Sequence, residues 1–148
     1  MSINRGSALT QQIENMFNIP DLQIADTIFA ADFVAHVPMM PSLSRSGFKA
    51  FIDALYDSFP DLNMHIEESI VTAERLVLRI TYTGTHTGVF LGIAATQLHV
   101  RLPTIGVFKI EHDLITEGWI EMDIFGVLQQ ISISQVNQNP QSPFISIN

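Results

Sequence analysis

The sequence predicts a single α+β domain in which about three N-terminal helices pack on one face of a curved antiparallel sheet. Two features of the hydrophobic pattern indicate this class. Apolar residues recur at helical spacing as far as Phe59, and they alternate with a period of two from Leu62 to Asp123. A chain of 148 residues is long enough to bury a core of its own. We therefore predict one domain over residues 1–131, followed by a polar C-terminal tail over residues 132–148.

Three helices and a short strand are predicted before Pro60. A first helix runs to about Phe17 and is broken by Pro20, and Asp21 caps a second helix. The third begins at Ser46 or Gly47, and its apolar stripe includes two residues expected to face a ligand, Phe51 and Leu55. The short strand covers residues 33–36, and the proline-containing segment 39–46 is predicted to be a loop at the mouth of a pocket.

The rest of the domain is predicted to form strands over residues 62–70, 76–86, 98–112 and 114–123, closed by a short helix or turn over residues 125–131. On the first of these strands, Met64, Ile66 and Ile70 are expected to share one face. On the second, Tyr82 and His86 share a face, whereas Arg79 points the opposite way.

The composition excludes several classes of function. Hydrophobic residues make up 47% of the chain and charged residues 15%, so we expect the apolar surplus to line a ligand cavity, to cover an oligomer interface, or both. A net charge of −8 would repel phosphate backbones, so no nucleic-acid partner is expected. No basic cluster, membrane-spanning run or leader is visible, which favours a cytoplasmic protein that does not bind membranes. The absence of cysteine excludes disulfides and thiol catalysis.

Several ordered segments together resemble the SnoaL-like polyketide cyclase (ester cyclase) family. The segments are Asp32–Pro38 (D-F-V-x-H-x-P), Gly47–Phe51 with Phe59–Leu62 (a helix and an F-P-D step), Gly84–Thr96 (G-x-H-T-G, then F-x-G-I) and Glu117–Gln130 (E-x-W-x-x-x-D-x-x-G-x-x-x-Q). The resemblance implies the cone-shaped fold of the nuclear transport factor 2-like superfamily. It also implies an intramolecular aldol closure of a polyketide ester, without a cofactor or metal.

The resemblance assigns catalytic roles to two residues, with Asp123 as the acid/base and His36 as its polar partner. Asp123 matches the aspartate of the family, and a carboxylate in a dry apolar pocket is a stronger base than one in water. Alternatively, Asp123 caps the closing helix by accepting backbone N–H groups. His36 matches the histidine of the family and is expected to donate to a substrate carbonyl. Its alternative role is to hold the loop at Pro38.

Five other side chains are candidates for substrate binding, each with a structural alternative. Trp119 and Glu121 share the strand face of Asp123, where Trp119 forms a pocket wall or packs, and Glu121 adds a second carboxylate or is solvated. Tyr82 presents its hydroxyl to the pocket or packs in the core. His86 contacts substrate or bonds the backbone of its turn. Phe108 is expected to line the pocket.

No metal site is predicted, because no two histidines stand at i, i+2 or i, i+4. A serine nucleophile is not predicted either, because the chain has no Gly-x-Ser-x-Gly elbow.

Three functions remain open on the sequence. The first is a cofactor-independent lyase or isomerase of the polyketide cyclase type, acting on a small apolar or aromatic carbonyl compound. The second is a non-catalytic protein that binds such a molecule. The third is an epoxide hydrolase, which requires an arginine beside Asp123, although Arg79 and Arg101 are expected on the outer face. A homodimer is expected, because the strand face of Ile120 and Met122 has to be covered.

Overall fold

The computed structural model describes residues 2–18 and 21–132. Pro20, which was predicted to break the first helix, lies outside the described residues. The predicted polar tail lies outside them as well, from residue 133 onward.

The helices occupy both ends of the described chain. They are α1 (Ser2–Asn18), α2 (Ala25–Ile28, entered through a 3₁₀ turn at Leu22–Ile24), α3 (Arg45–Ser58) and α4 (Ile124–Ile131). The third helix begins one residue earlier than predicted because Ser44 is its N-cap. The hydroxyl of Ser44 accepts a hydrogen bond from the backbone N–H of Gly47 at 3.1 Å, which satisfies one of the amides left free at a helix start.

The strands form one six-stranded sheet. They are β1 (Phe29–His36), β2 (Leu43–Ser44), β3 (Asn63–Val71), β4 (Arg75–Thr85), β5 (His99–Glu111) and β6 (Leu114–Met122), in the spatial order β2-β1-β6-β5-β4-β3. The α+β prediction is confirmed. The sheet is mixed rather than wholly antiparallel, because β1 runs parallel to β6 and the chain between them forms the long crossover that parallel pairing needs.

A cluster of aromatic rings anchors the helices to the inner face of the sheet. Phe29 and Phe33 of β1 lie 4.4 Å apart by ring centroid, and Phe48 of α3 lies 5.6 and 5.7 Å from them. Aromatic pairs at such distances add to the free energy gained by burying their area. The three rings therefore fix α3 over β1, and with it the hairpin loop that joins β1 to β2.

A β-bulge in β3 changes which residues face the core. The register with β4 shifts between Ile66 and Glu68, so the alternation of faces is interrupted once. Met64 and Ile66 remain on the inner face as predicted, whereas Ile70 is 56% exposed on the outer face opposite Val77. The prediction that Ile70 shares the face of Met64 is therefore wrong, because an uninterrupted period of two was assumed.

The bulge aligns an apolar row across the outer face of the sheet. The row is formed by residues that are paired in register from strand to strand: Ile70, Val77, Val107, Trp119 and His36. The neighbouring row contains Glu68, Arg79, Ile105 and Glu121. The first row ends on β1, at the histidine that the sequence singled out.

Candidate active site

His36, Glu117 and Trp119 converge where β1 and β6 run side by side. His36 is in register with Trp119, and its Nε2 lies 2.7 Å from Oε2 of Glu117. The rings of His36 and Trp119 are stacked, with centroids 5.5 Å apart and planes 17° from parallel. Because an ionised carboxylate only accepts hydrogen bonds, the proton of a neutral His36 lies on Nε2, and Nδ1 carries a lone pair that can accept a hydrogen bond or a proton. The arrangement is an imidazole oriented by a carboxylate and an aromatic ring.

The three side chains are open to small molecules yet held in place. The side chains of His36 and Glu117 are 37% and 33% exposed, and Trp119 is 39% exposed. The hairpin loop from β1 to β2 follows His36 directly and carries two exposed methionines, Met39 and Met40. Met39 has a φ of 67°, a conformation that residues other than glycine rarely adopt. Such backbone strain tends to occur at ligand sites.

Asp123 is the N-cap of α4. Its Oδ1 accepts a hydrogen bond from the backbone N–H of Gly126 at 2.9 Å, and the side chain is exposed. This geometry corresponds to the capping alternative that the sequence left open. A Cβ at position 126 would overlap the Asp123 carboxylate, so glycine is required for this close approach.

We expect Gly126→Ala to have opposite effects on stability in two backgrounds. In the wild type it displaces the Asp123 cap and lowers the free energy of unfolding by about 1 kcal/mol. In an Asp123→Ala background no carboxylate is in the way, and the helix propensity of alanine raises stability by up to about 1 kcal/mol. Urea unfolding of the four proteins measures this cycle. Equal effects in both backgrounds would show that the cap does not need Gly126.

The two faces of β6 are opposite to the expectation. Ile120 is buried and lines the interior, whereas Trp119 and Glu121 are exposed on the outer face. Gly118 contributes to this choice, because a Cβ there would come within 3.0 Å of the buried Phe108 ring. Trp119 therefore does not form a wall of the interior, and it meets His36 on the outer side of the sheet.

The interior of the cone contains a small apolar cavity. Its volume is about 20 Å³, which is room for about one water molecule. Twelve residues line it: Ile13, Met16, Phe17, Phe29, Phe48, Met64, Ile80, Tyr82, Thr104, Gly106, Phe108 and Ile120. None of them carries a carboxylate or an imidazole. A ligand of several carbon atoms would enter only if core side chains moved.

Tyr82 supplies a polar group to this interior. Its side chain is buried, and its ring lies 5.3 Å from that of Phe17. Desolvation by burial, and to a smaller extent the neighbouring Tyr56, raises the pKa of Tyr82 far above its usual range. The phenol therefore stays protonated and remains a hydrogen-bond donor. Tyr82 and Leu55 also line a second cavity of about 10 Å³, and Phe51 is half-buried against the core.

The sequence profile of one protein family matches most of this chain. The SnoaL-like polyketide cyclase family matches residues 7–131. The chain belongs to this family. The membership confirms the resemblance drawn from the ordered segments. No curated protein matches the chain.

Solved structures similar to this SnoaL-like protein share its fold at low sequence identity. AclR from Streptomyces galilaeus, proposed to be a hydroxylase, is 22% identical with a TM-score of 0.80, and the match covers 88% of this chain and 87% of AclR. TsrD from Streptomyces laurentii is 24% identical with a TM-score of 0.80, over 88% and 97% of the two chains. IdmH from Streptomyces antibioticus, proposed to be a polyketide cyclase, is 22% identical with a TM-score of 0.78, over 86% and 98%.

In this SnoaL-like chain, the F-P-D segment is joined to the G-x-H-T-G turn by hydrogen bonds between Asp61 and Thr85. Both carboxylate oxygens of Asp61 accept hydrogen bonds from Thr85, at 2.6 Å from its backbone N–H and 2.7 Å from its hydroxyl. These bonds lower the pKa of Asp61. The folded state therefore gains stability from the ionised Asp61 above the unfolded pKa of the carboxyl, and it loses this contribution as pH falls through the folded pKa.

His86 lies fully buried in the same turn. Its Nδ1 accepts from the backbone N–H of Thr96 at 3.3 Å and lies 2.9 Å from the Thr96 hydroxyl, so the proton of the neutral ring is on Nε2. Within residues 2–18 and 21–132, Nε2 finds no acceptor, and the ring packs 5.7 Å from the Phe59 ring. The imidazole therefore has a structural role, but it bonds Thr96 rather than the backbone of its own G-x-H-T-G turn.

Sequence reasoning missed Glu117 as a site residue and Asp61 as a partner of the turn. Both stand inside segments that carried the family resemblance, and that was the signal available in the sequence. Among the described residues, no three His, Asp or Glu side chains converge as metal ligands, and no helix is both long and apolar enough to cross a membrane.

Proposed function

We propose that this SnoaL-like protein is a cofactor-independent acid/base enzyme that closes a ring in a small, largely apolar carbonyl compound, with His36 as its base. The reaction type is inferred from membership of the SnoaL-like polyketide cyclase family. The observation that carries the residue assignment is the 2.7 Å contact between His36 Nε2 and Glu117, which leaves Nδ1 unprotonated beside an open surface. Trp119 holds the imidazole by stacking and extends an aromatic surface beside it.

The proposed reaction is an isomerisation. His36 Nδ1 removes a proton next to one carbonyl, and the enolate carbon attacks a second carbonyl of the same molecule. A carbon–carbon bond forms, and the new alkoxide takes the proton back from His36. Glu117 stabilises the imidazolium that exists between the two transfers. Atoms and electrons balance without any further reactant, so no cofactor is needed.

Asp123 is the second candidate for the base, since it matches the family aspartate. To act, its carboxylate has to leave the backbone N–H of Gly126. Asp123→Asn separates the two roles, because asparagine caps a helix as well as aspartate does but cannot accept a proton at neutral pH. We expect this variant to keep both its stability and its turnover. Loss of turnover at unchanged stability would assign the base to Asp123 instead.

The test of the proposed function is a search for isobaric products. The purified protein is incubated with linear polyketone esters and diketones. Products are separated by chromatography, and their masses are measured by mass spectrometry. Ring closure leaves the mass unchanged, whereas hydrolysis of an ester substrate gives an acid and an alcohol of smaller mass. A product with unchanged mass, formed by the wild type and not by His36→Gln, is the expected result. No product from any such compound, with or without dehydration, would contradict the proposal.

A second candidate function, binding without turnover, is favoured by the largely apolar lining around Tyr82, which includes no carboxylate or imidazole. A bound ketone would accept a hydrogen bond from Tyr82 while its carbon skeleton displaces core side chains. This alternative predicts that small aromatic ketones raise the unfolding temperature without forming a product. The epoxide hydrolase has less support, because Arg79 and Arg101 pair with Glu68 and Glu67, at 2.8 and 3.8 Å.

We also propose that the outer face of the sheet pairs with a second copy of the chain. Ile105 is 50% exposed at its centre, between Arg79 on β4 and Glu121 on β6. A two-fold axis near Ile105 would set Arg79 of each copy against Glu121 of the other, so the row is complementary to itself. His36 lies two strands away, about 10 Å, which leaves the site at the rim.

We expect Ile105→Lys to convert a dimer into a monomer, because two added lysines would meet at the axis. Size-exclusion chromatography with light scattering measures the mass. The matched control is Val89→Lys, at an exposed apolar residue outside the strands, which should leave the dimer intact. A wild type that elutes as a monomer would disprove the pairing.

A further inference from the structure

The hairpin loop between β1 and β2 returns the chain to His36. β1 and β2 pair antiparallel, with Ala35 opposite Leu43. This register brings the residue before Leu43 back beside the residue after Ala35. The Oγ of Ser42 consequently lies 3.4 Å from Nδ1 of His36, on the ring edge opposite Glu117.

We propose that Ser42, His36 and Glu117 form a nucleophile–base–carboxylate relay that hydrolyses small carboxylic esters. Glu117 accepts the Nε2 proton of His36, and this contact fixes the tautomer whose Nδ1 accepts from the Ser42 hydroxyl. A serine activated by a base, with the base oriented by a third group, is the arrangement that nucleophilic acyl transfer requires. A distance of 3.4 Å is long for a hydrogen bond, but such bonds are often long before substrate binds.

The hydrolysis balances with water as the second reactant. The Ser42 Oγ bonds to the acyl carbon while its proton passes to His36 Nδ1, and the carbonyl electron pair moves to oxygen. When this pair returns, the bond to the alcohol oxygen breaks, and the alcohol leaves with the proton from His36. Water then attacks the acyl-serine with His36 as base, which releases the acid and restores the Ser42 hydroxyl.

The surroundings of Ser42 favour aryl or short acyl esters over charged ones. Met39 and Met40 stand exposed on the same hairpin loop, and Trp119 flanks His36. Ser42 is itself exposed, so the water needed for the second half-reaction has access. A small apolar group can rest against the methionines while its carbonyl reaches the hydroxyl.

The relay shares His36 and Glu117 with the proposed ring closure, and it does not depend on that reaction. The test uses p-nitrophenyl acetate for turnover and a fluorophosphonate for covalent labelling, with peptide mapping to locate the label. Neither probe can undergo ring closure. Failure of one proposal is therefore distinguishable from failure of the other.

We expect the label on Ser42, and we expect kcat/KM for p-nitrophenyl acetate to fall about 100-fold in Ser42→Ala and in His36→Gln. The matched control is Ser46→Ala, at an exposed serine whose hydroxyl lies 3.2 Å from that of Ser44 and takes no part in the relay. This control should keep both label and rate. A label elsewhere, or an unchanged rate in a folded Ser42→Ala protein, overturns the relay.

Discussion

His36→Gln is expected to lower kcat/KM for ring closure by about 10²–10⁴-fold, which is the contribution typical of a general base. Glutamine keeps a polar group near Glu117 but cannot take up a proton at neutral pH. Since the His36 side chain is only half-buried, we expect the free energy of unfolding to change by less than about 1 kcal/mol. Steady-state kinetics on the ring-closing substrate, together with thermal unfolding, measures both effects.

The chain offers a matched control in His65. Its Nε2 lies 3.7 Å from Oε2 of Glu67, so it is also a histidine beside a glutamate on the sheet, but its side chain is 69% exposed. His65→Gln should leave turnover unchanged. The kcat/KM of Glu117→Gln should lie between those of His36→Gln and His65→Gln. The amide of glutamine can still orient the His36 ring, but it cannot stabilise the imidazolium. If His36→Gln kept a third or more of the wild-type activity, the base would have to be sought elsewhere, first at Asp123.

Gly88→Ala is expected to lower the free energy of unfolding by about 3 kcal/mol. Gly88 closes the G-x-H-T-G turn against the end of α3, where its backbone N–H donates to the carbonyl of Ser58 at 3.1 Å. A Cβ at this position would overlap the carbonyl oxygen of Asp57 and come within 3.2 Å of the Ser58 Cα. These are backbone atoms at the end of a packed helix, so they cannot move to relieve the clash as a flexible side chain could.

Gly92→Ala is the control for this prediction, because the two glycines differ in why they are needed. Gly92 has a φ of 81° and no atom within 4 Å of an added Cβ. Gly92→Ala should therefore lower the free energy of unfolding by only about 1–2 kcal/mol, which is the cost of a left-handed backbone conformation in a residue with a Cβ. Thermal unfolding should show a drop of roughly 6–12 °C for Gly88→Ala and a smaller one for Gly92→Ala. A Gly88→Ala protein as stable as the wild type would mean that α3 and the turn are not in contact in solution.

The helices and strands that were predicted well are those whose sequence patterns involve residues close together along the chain. The period of the apolar residues located α3 and the strands from β3 to β6 to within a few residues. Capping residues such as Asp21 acted where the sequence placed them, since its carboxylate accepts from the backbone N–H of Gln23 at 3.1 Å. These signals involve residues a few positions apart, and a sequence displays such spacings directly.

The candidate site was predicted only in part. His36 and Trp119 were both named, but as groups facing an interior pocket, and Glu117 was not named at all. The alternation with a period of two correctly separates the two faces of β6. It does not indicate which face turns inward, because both faces carry apolar residues, Ile120 on one and Trp119 on the other. The inner face was decided by packing, where Gly118 leaves space for the ring of Phe108.

By itself, the sequence determined the class of fold, the order of the helices and of every strand except β2, and the family. What it left open was decided by contacts between distant segments. The bulge in β3 turned Ile70 outward, and the parallel pairing of β1 with β6 joined His36 to Glu117 across 81 positions. The physical reason is that strand pairing and burial minimise the free energy of the whole chain, and no short stretch of residues encodes which distant strand will be its neighbour.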